Sequence, residues 1–77
     1  MDTEKAFDHG RDAGLLALDK LGEIFDGKHE HFVPQGLTGL LVTVMSVVYA
    51  QAPSEEAADE LIATARKWAE DAVREGQ

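Results

Sequence analysis

Apolar and polar positions alternate with a helical period in the first and last thirds of the chain, and lose that period in the middle. From Thr3 to Asp26, spacings of three and four place Ala6, Phe7, Gly10, Gly14, Ala17, Leu21 and Phe25 on one face. Asp8, Asp12, Asp19, Glu23 and Asp26 gather on the other. The pattern predicts an amphipathic helix over residues 3–26, capped by Asp2 or Thr3 and stopped by Gly27. Each internal glycine costs about 1 kcal/mol of helix propensity against alanine. Gly10 and Gly14, four residues apart on the apolar face, are therefore read as a place where another helix comes close. A break in the helix at that point is the alternative.

The last third predicts a helix over residues 54–75. Ser54 follows Pro53 as an N-cap, and Glu55, Glu56 and Asp59 sit in the opening turns, where the helix dipole favours acids. Ala58, Leu61, Ile62, Ala65, Trp68, Ala69 and Ala72 form an alanine-rich inner stripe. Arg66–Glu70, Lys67–Asp71 and Glu70–Arg74 are opposite charges four residues apart and are expected to pair on the outside.

Between these lies a stretch from Phe32 to Ser54 without a charged residue. Its "LVTVMSVVYA" is rich enough in β-branched residues to form a strand, but no partner strand exists in the chain, and a lone strand is not stable. A helix over residues 34–51, opened by Pro34, is the better reading. On it Gly39, Thr43, Ser46 and Ala50 make a narrow stripe of small residues, through which the flanking helices are expected to pack. A helix this apolar is either buried in protein or spans a bilayer. Leu37 to Ala50 extends only about 21 Å against a hydrocarbon layer of about 30 Å, and the flanks lack paired basic and aromatic anchors. A core helix is preferred, with a membrane span at 34–52 as the alternative.

The fold class expected is all-α: one small helical domain over residues 1–77, with a central apolar helix flanked by two acidic amphipathic ones. Two narrow inner stripes cannot cover the middle helix all round. Leu37, Leu41, Val44, Met45 and Val48 are left as the interface of a homodimer, since two-fold dimers are the commonest soluble oligomers.

Composition sharpens the functional reading. The net charge is −8, with −4 in residues 1–31 and −4 in residues 55–77. Such a chain is repelled by nucleic-acid phosphates and anionic membranes, so direct nucleic-acid binding is not expected and a basic protein surface is. With no cysteine there is neither a disulfide nor a thiolate metal site. The acidic start, without an apolar run, shows no secretory signal and suggests a cytoplasmic protein. His29 and His31 flank Glu30 in the first loop, with Asp26 near and His9 on the first helix. Zinc needs three or four convergent ligands, and this spacing supplies two, so neither a metal nor another cofactor is expected. No nucleophile–base pair or phosphate-binding glycine loop is present, and the chain reads as non-enzymatic.

Leu15 and Leu16 fall off the apolar stripe and among the acids. With Asp8, Asp12, Asp19 and Glu23 they form the expected partner-binding surface. In size, acidity and lack of catalytic pattern the chain resembles, in composition only, small phage and mobile-element proteins. That resemblance implies an inhibitor that binds a host protein. The alternatives are a small assembly factor or chaperone holding a client on its apolar helix, and a metal- or small-ligand-binding helical domain.

Overall fold

A computed structural model describes residues 1–76. The chain is all-α: α1 spans Thr3–Phe25, α2 Val33–Gln51 and α3 Glu55–Glu75, with a short 3-10 turn at Glu30–Phe32. There is no strand among the described residues, so the β-branched run of the middle segment is helical.

Each helix begins and ends for a local reason. Asp2 caps α1, its Oδ1 accepting from the Lys5 amide at 2.8 Å. At the other end Gly27 adopts φ 67°, a left-handed conformation that a β-carbon disfavours. The Asp26 amide donates to the Gly22 carbonyl, and the Lys28 and His29 amides both donate to that of Phe25. These bonds satisfy carbonyls the helix end would leave bare. Pro34 sits in the first turn of α2, where its missing N–H is not needed. Pro53 follows the end of α2, and Ser54 opens α3 as its Oγ accepts from the Ala57 amide at 3.1 Å.

The chain divides into two units, Met1–Thr38 and Gly39–Gln77, the boundary falling within α2. In the first, α1 turns its half-buried Ala17, Leu21 and Phe25, spaced by four, to one side. Gly36 lies beneath them: a β-carbon there would come 2.6 Å from Phe25 Cε2 and 3.2 Å from Leu21 Cδ1. In the second unit, Ala58 of α3 is buried and Ile62 half-buried, as are Met45 and Val48 of α2 and Ala52 after it. Tyr49 donates its hydroxyl hydrogen bond to Asp59 Oδ1 and ties α2 to α3.

Several packing expectations are corrected. The close helix approach is at Gly36, because an aromatic ring lies over it; Gly10, Gly14, Gly22 and Gly39 have nothing within 4 Å of where a β-carbon would stand. α1 runs unbroken through Gly10 and Gly14. The small stripe of α2 is not its packed side: Gly39, Thr43, Ser46 and Ala50 are exposed, while Val33, Gly36, Leu40, Met45 and Val48 are half-buried. Bulkier residues gain more from leaving water, and they occupy the contacts. On α3 the expected stripe is buried at Ala58 and half-buried at Ile62, while Leu61, Ala65, Trp68, Ala69 and Ala72 are exposed. The ion pairs expected along α3 do not form. The one salt bridge among the described residues is Lys20–Glu23, at 3.5 Å on the surface of α1. Exposed pairs gain little over hydration, so long side chains on α3 have little reason to close.

Candidate functional site

Asp8, Asp12, Leu15, Leu16, Asp19 and Glu23 follow one another at helical spacing and occupy a single face of α1, about 22 Å long from end to end. All six are exposed. Leu15 is 58% and Leu16 70% exposed, two adjacent leucines standing in water between pairs of carboxylates. Glu23 is engaged by Lys20. The face lies away from the Ala17, Leu21 and Phe25 stripe, so it can meet a partner without disturbing the packing over Gly36.

The second surface is on α2. Among the residues expected at a dimer interface, Leu37, Leu41 and Val44 are exposed, whereas Met45 and Val48 are half-buried within the chain. Sequence reasoning missed Val47 and Leu61. With Val44, Val48, Gln51, Ala52, Pro53 and Ala57 they line an open groove of about 430 Å³ between α2 and α3. Spacing of three and four puts Val44, Val47 and Gln51 on one side of α2, but no pattern in the sequence brings Leu61 beside them.

The three small hydroxyl side chains of α2 are bonded to its own backbone. Thr38 donates its hydroxyl to the Pro34 carbonyl at 2.8 Å, Thr43 to Gly39 at 2.9 Å and Ser46 to Val42 at 2.8 Å. These three hydroxyls are thereby satisfied inside the helix. With the preceding 3-10 turn, the 22 residues Glu30–Gln51 are long and apolar enough, by length and composition only, to cross a membrane. The helix is longer than the 14-residue apolar count that spoke against a span, so length no longer separates the two readings.

The histidines do not converge. His9 is exposed on α1, and His29 and His31 are exposed at the loop. His31 stacks on Phe32 with ring centroids 4.0 Å apart, and His29 lies 6.3 Å from the same ring. Among the described residues no group of three His, Asp or Glu side chains could hold a metal ion. The Tyr49 phenol is raised above the ordinary tyrosine value, chiefly by its hydrogen bond to Asp59, with desolvation and the charges of Asp59 and Glu55 adding to it. This bond is a structural tie, since the phenol stays protonated and donates at neutral pH.

No protein-family model matches the chain, no curated protein matches it, and no solved structure matches it.

Proposed function

We propose that the protein is a non-enzymatic interaction module that docks on a basic protein surface through the acidic face of α1 and blocks it. The observation carrying this reading is the exposed stripe of Asp8, Asp12, Leu15, Leu16, Asp19 and Glu23. Carboxylates steer a basic partner into place, and the two leucines supply apolar area to hold it. A charge-reversed pair, Asp12→Lys with Asp19→Lys, tests it in a pull-down from the native host's lysate. A basic protein retained by the wild type at low salt, lost at high salt and lost with the reversed pair supports the reading. Retention indifferent to salt and to the reversal sinks it.

The groove lined by Val44, Val47, Val48 and Leu61 favours a second reading, an assembly factor that holds an apolar client segment on α2 and α3. Client binding there would resist salt, because no charged side chain lines the groove.

A further inference from the structure

We infer that Asp26–Gly27 is a site of spontaneous backbone modification, isoaspartate formation, and that the change releases the end of α1 from its turn. This goes beyond the acidic-face reading and does not depend on it.

The chain holds one aspartate followed by glycine. The chemistry there is a closure of the backbone on the side chain. The Gly27 amide nitrogen attacks Cγ of the Asp26 carboxyl, and the carboxyl hydroxyl leaves with the amide hydrogen as water. A new C–N bond closes a succinimide ring. Water then adds to one of its two carbonyls and reopens it. Breaking the bond at Cγ restores aspartate. Breaking the bond at the main-chain carbonyl leaves the chain running through Cγ, which is isoaspartate. The water lost is regained, nothing is oxidised or reduced, and the net charge stays −8.

The turn that ends α1 leaves this reaction open. Gly27 has no β-carbon to obstruct the approach of its nitrogen, and its φ of 67° is the reason a glycine stands there. The Asp26 amide donates to the Gly22 carbonyl, and those of Lys28 and His29 donate to that of Phe25; the Gly27 amide takes part in none of these bonds. The attacking nitrogen is therefore not held as a donor, as it would be inside a helix. Asp26 and Gly27 are both exposed, so water reaches the ring.

The other aspartates lack this combination. Asp8, Asp12 and Asp19 lie within α1, Asp59 and Asp71 within α3, and each precedes a residue with a β-carbon. Asp2 precedes Thr3, and its carboxylate is held by the Lys5 amide.

The consequence lies next door. Isoaspartate adds one carbon to the main chain between Phe25 and Gly27. The bonds from the Lys28 and His29 amides to the Phe25 carbonyl, at 3.0 and 3.2 Å, close across that point. Phe25 also carries the ring over Gly36. Opening the turn thus loosens the residue through which α1 holds the start of α2.

The full chain, incubated at neutral pH and physiological temperature, is digested and mapped for isoaspartate. Accumulation at Asp26 is expected to be at least about tenfold faster than at Asp8, Asp12 or Asp19. Asp26→Asn is expected to accelerate it, since ammonia then leaves in place of water. Asp26→Glu is expected to suppress it, because the ring would have to be larger. In the modified fraction the Lys28 and His29 amides are expected to exchange with deuterium at least about tenfold faster. Equal accumulation at Asp26 and the helical aspartates overturns the proposal. So does a folded chain that forms isoaspartate more than about tenfold more slowly than the same chain in urea. Unchanged exchange at Lys28 and His29 in the modified fraction overturns the release of the turn.

Discussion

The Phe25 ring lies so close over Gly36 that a β-carbon at that position would stand 2.6 Å from Phe25 Cε2 and 2.9 Å from Cζ. The contact holds α1 to α2, and only a residue without a side chain permits it. Gly36→Leu is expected to lower stability by about 1–3 kcal/mol through overpacking. Gly36→Ala gains helix propensity but must push the ring aside, so its effect is smaller. Gly14→Ala meets nothing within 4 Å and is expected to stabilise by about 0.5–1 kcal/mol. Urea melts of the three variants check the ranking; an equal response at positions 14 and 36 would remove the account of the contact.

Tyr49 and Asp59 give the second unit a dependence on alkaline pH. The tyrosine is raised in the folded chain because its proton is held by the Asp59 carboxylate. The bond therefore contributes fully below the unfolded tyrosine value of about 10 and is lost as pH rises through the higher folded value. Thermal melts of the wild type are expected to lose stability over that alkaline window, with a smaller loss in Tyr49→Phe. Identical alkaline curves for the two proteins would show that the bond carries no stability.

How far these features could be read beforehand depends on whether the signal was local. The helix limits were legible to within a residue, because Asp2, Gly27, Pro34 and Ser54 act on the backbone next to them. The choice of packed face was not. Gly14 and Gly36 look alike in a sequence, and only the tertiary placement of Phe25 distinguishes them. The small stripe through Gly39 and Ala50 suggested close helices, yet larger residues won the contacts. The acidic face of α1 was visible from spacing alone. The groove was not, since it needs Leu61 of α3 brought beside Val44.

Ser54 tests the independence of α3. Its hydroxyl accepts from the Ala57 amide, and Ser54→Ala is expected to cost about 0.5–2 kcal/mol. Ser54→Asp should retain the cap. Circular dichroism melts of both variants make the comparison, and a loss in the aspartate equal to that in the alanine would count against a capping role.

Leu16 separates binding from folding. It is 70% exposed, so Leu16→Ser is expected to change stability by less than about 0.5 kcal/mol. Capture of a basic partner should nevertheless fall. Denaturation and pull-down of the same variant measure both, and unchanged capture would take the leucines out of the binding face.

The uncharged stretch that forms α2 also has a consequence during synthesis. A ribosome releases "LVTVMSVVYA" before α3 exists, and until then the segment has neither Leu61 beside Val44 nor Asp59 to hold Tyr49. Such a run, β-branched, apolar and without proline, is the kind that pairs into intermolecular strands. At that stage the carboxylates of α1 serve as gatekeepers, and those of α3 join them as they emerge, keeping nascent chains apart until the helix has its neighbours. A chain truncated before Glu55 would lose one of those two guards and is the form most prone to aggregate.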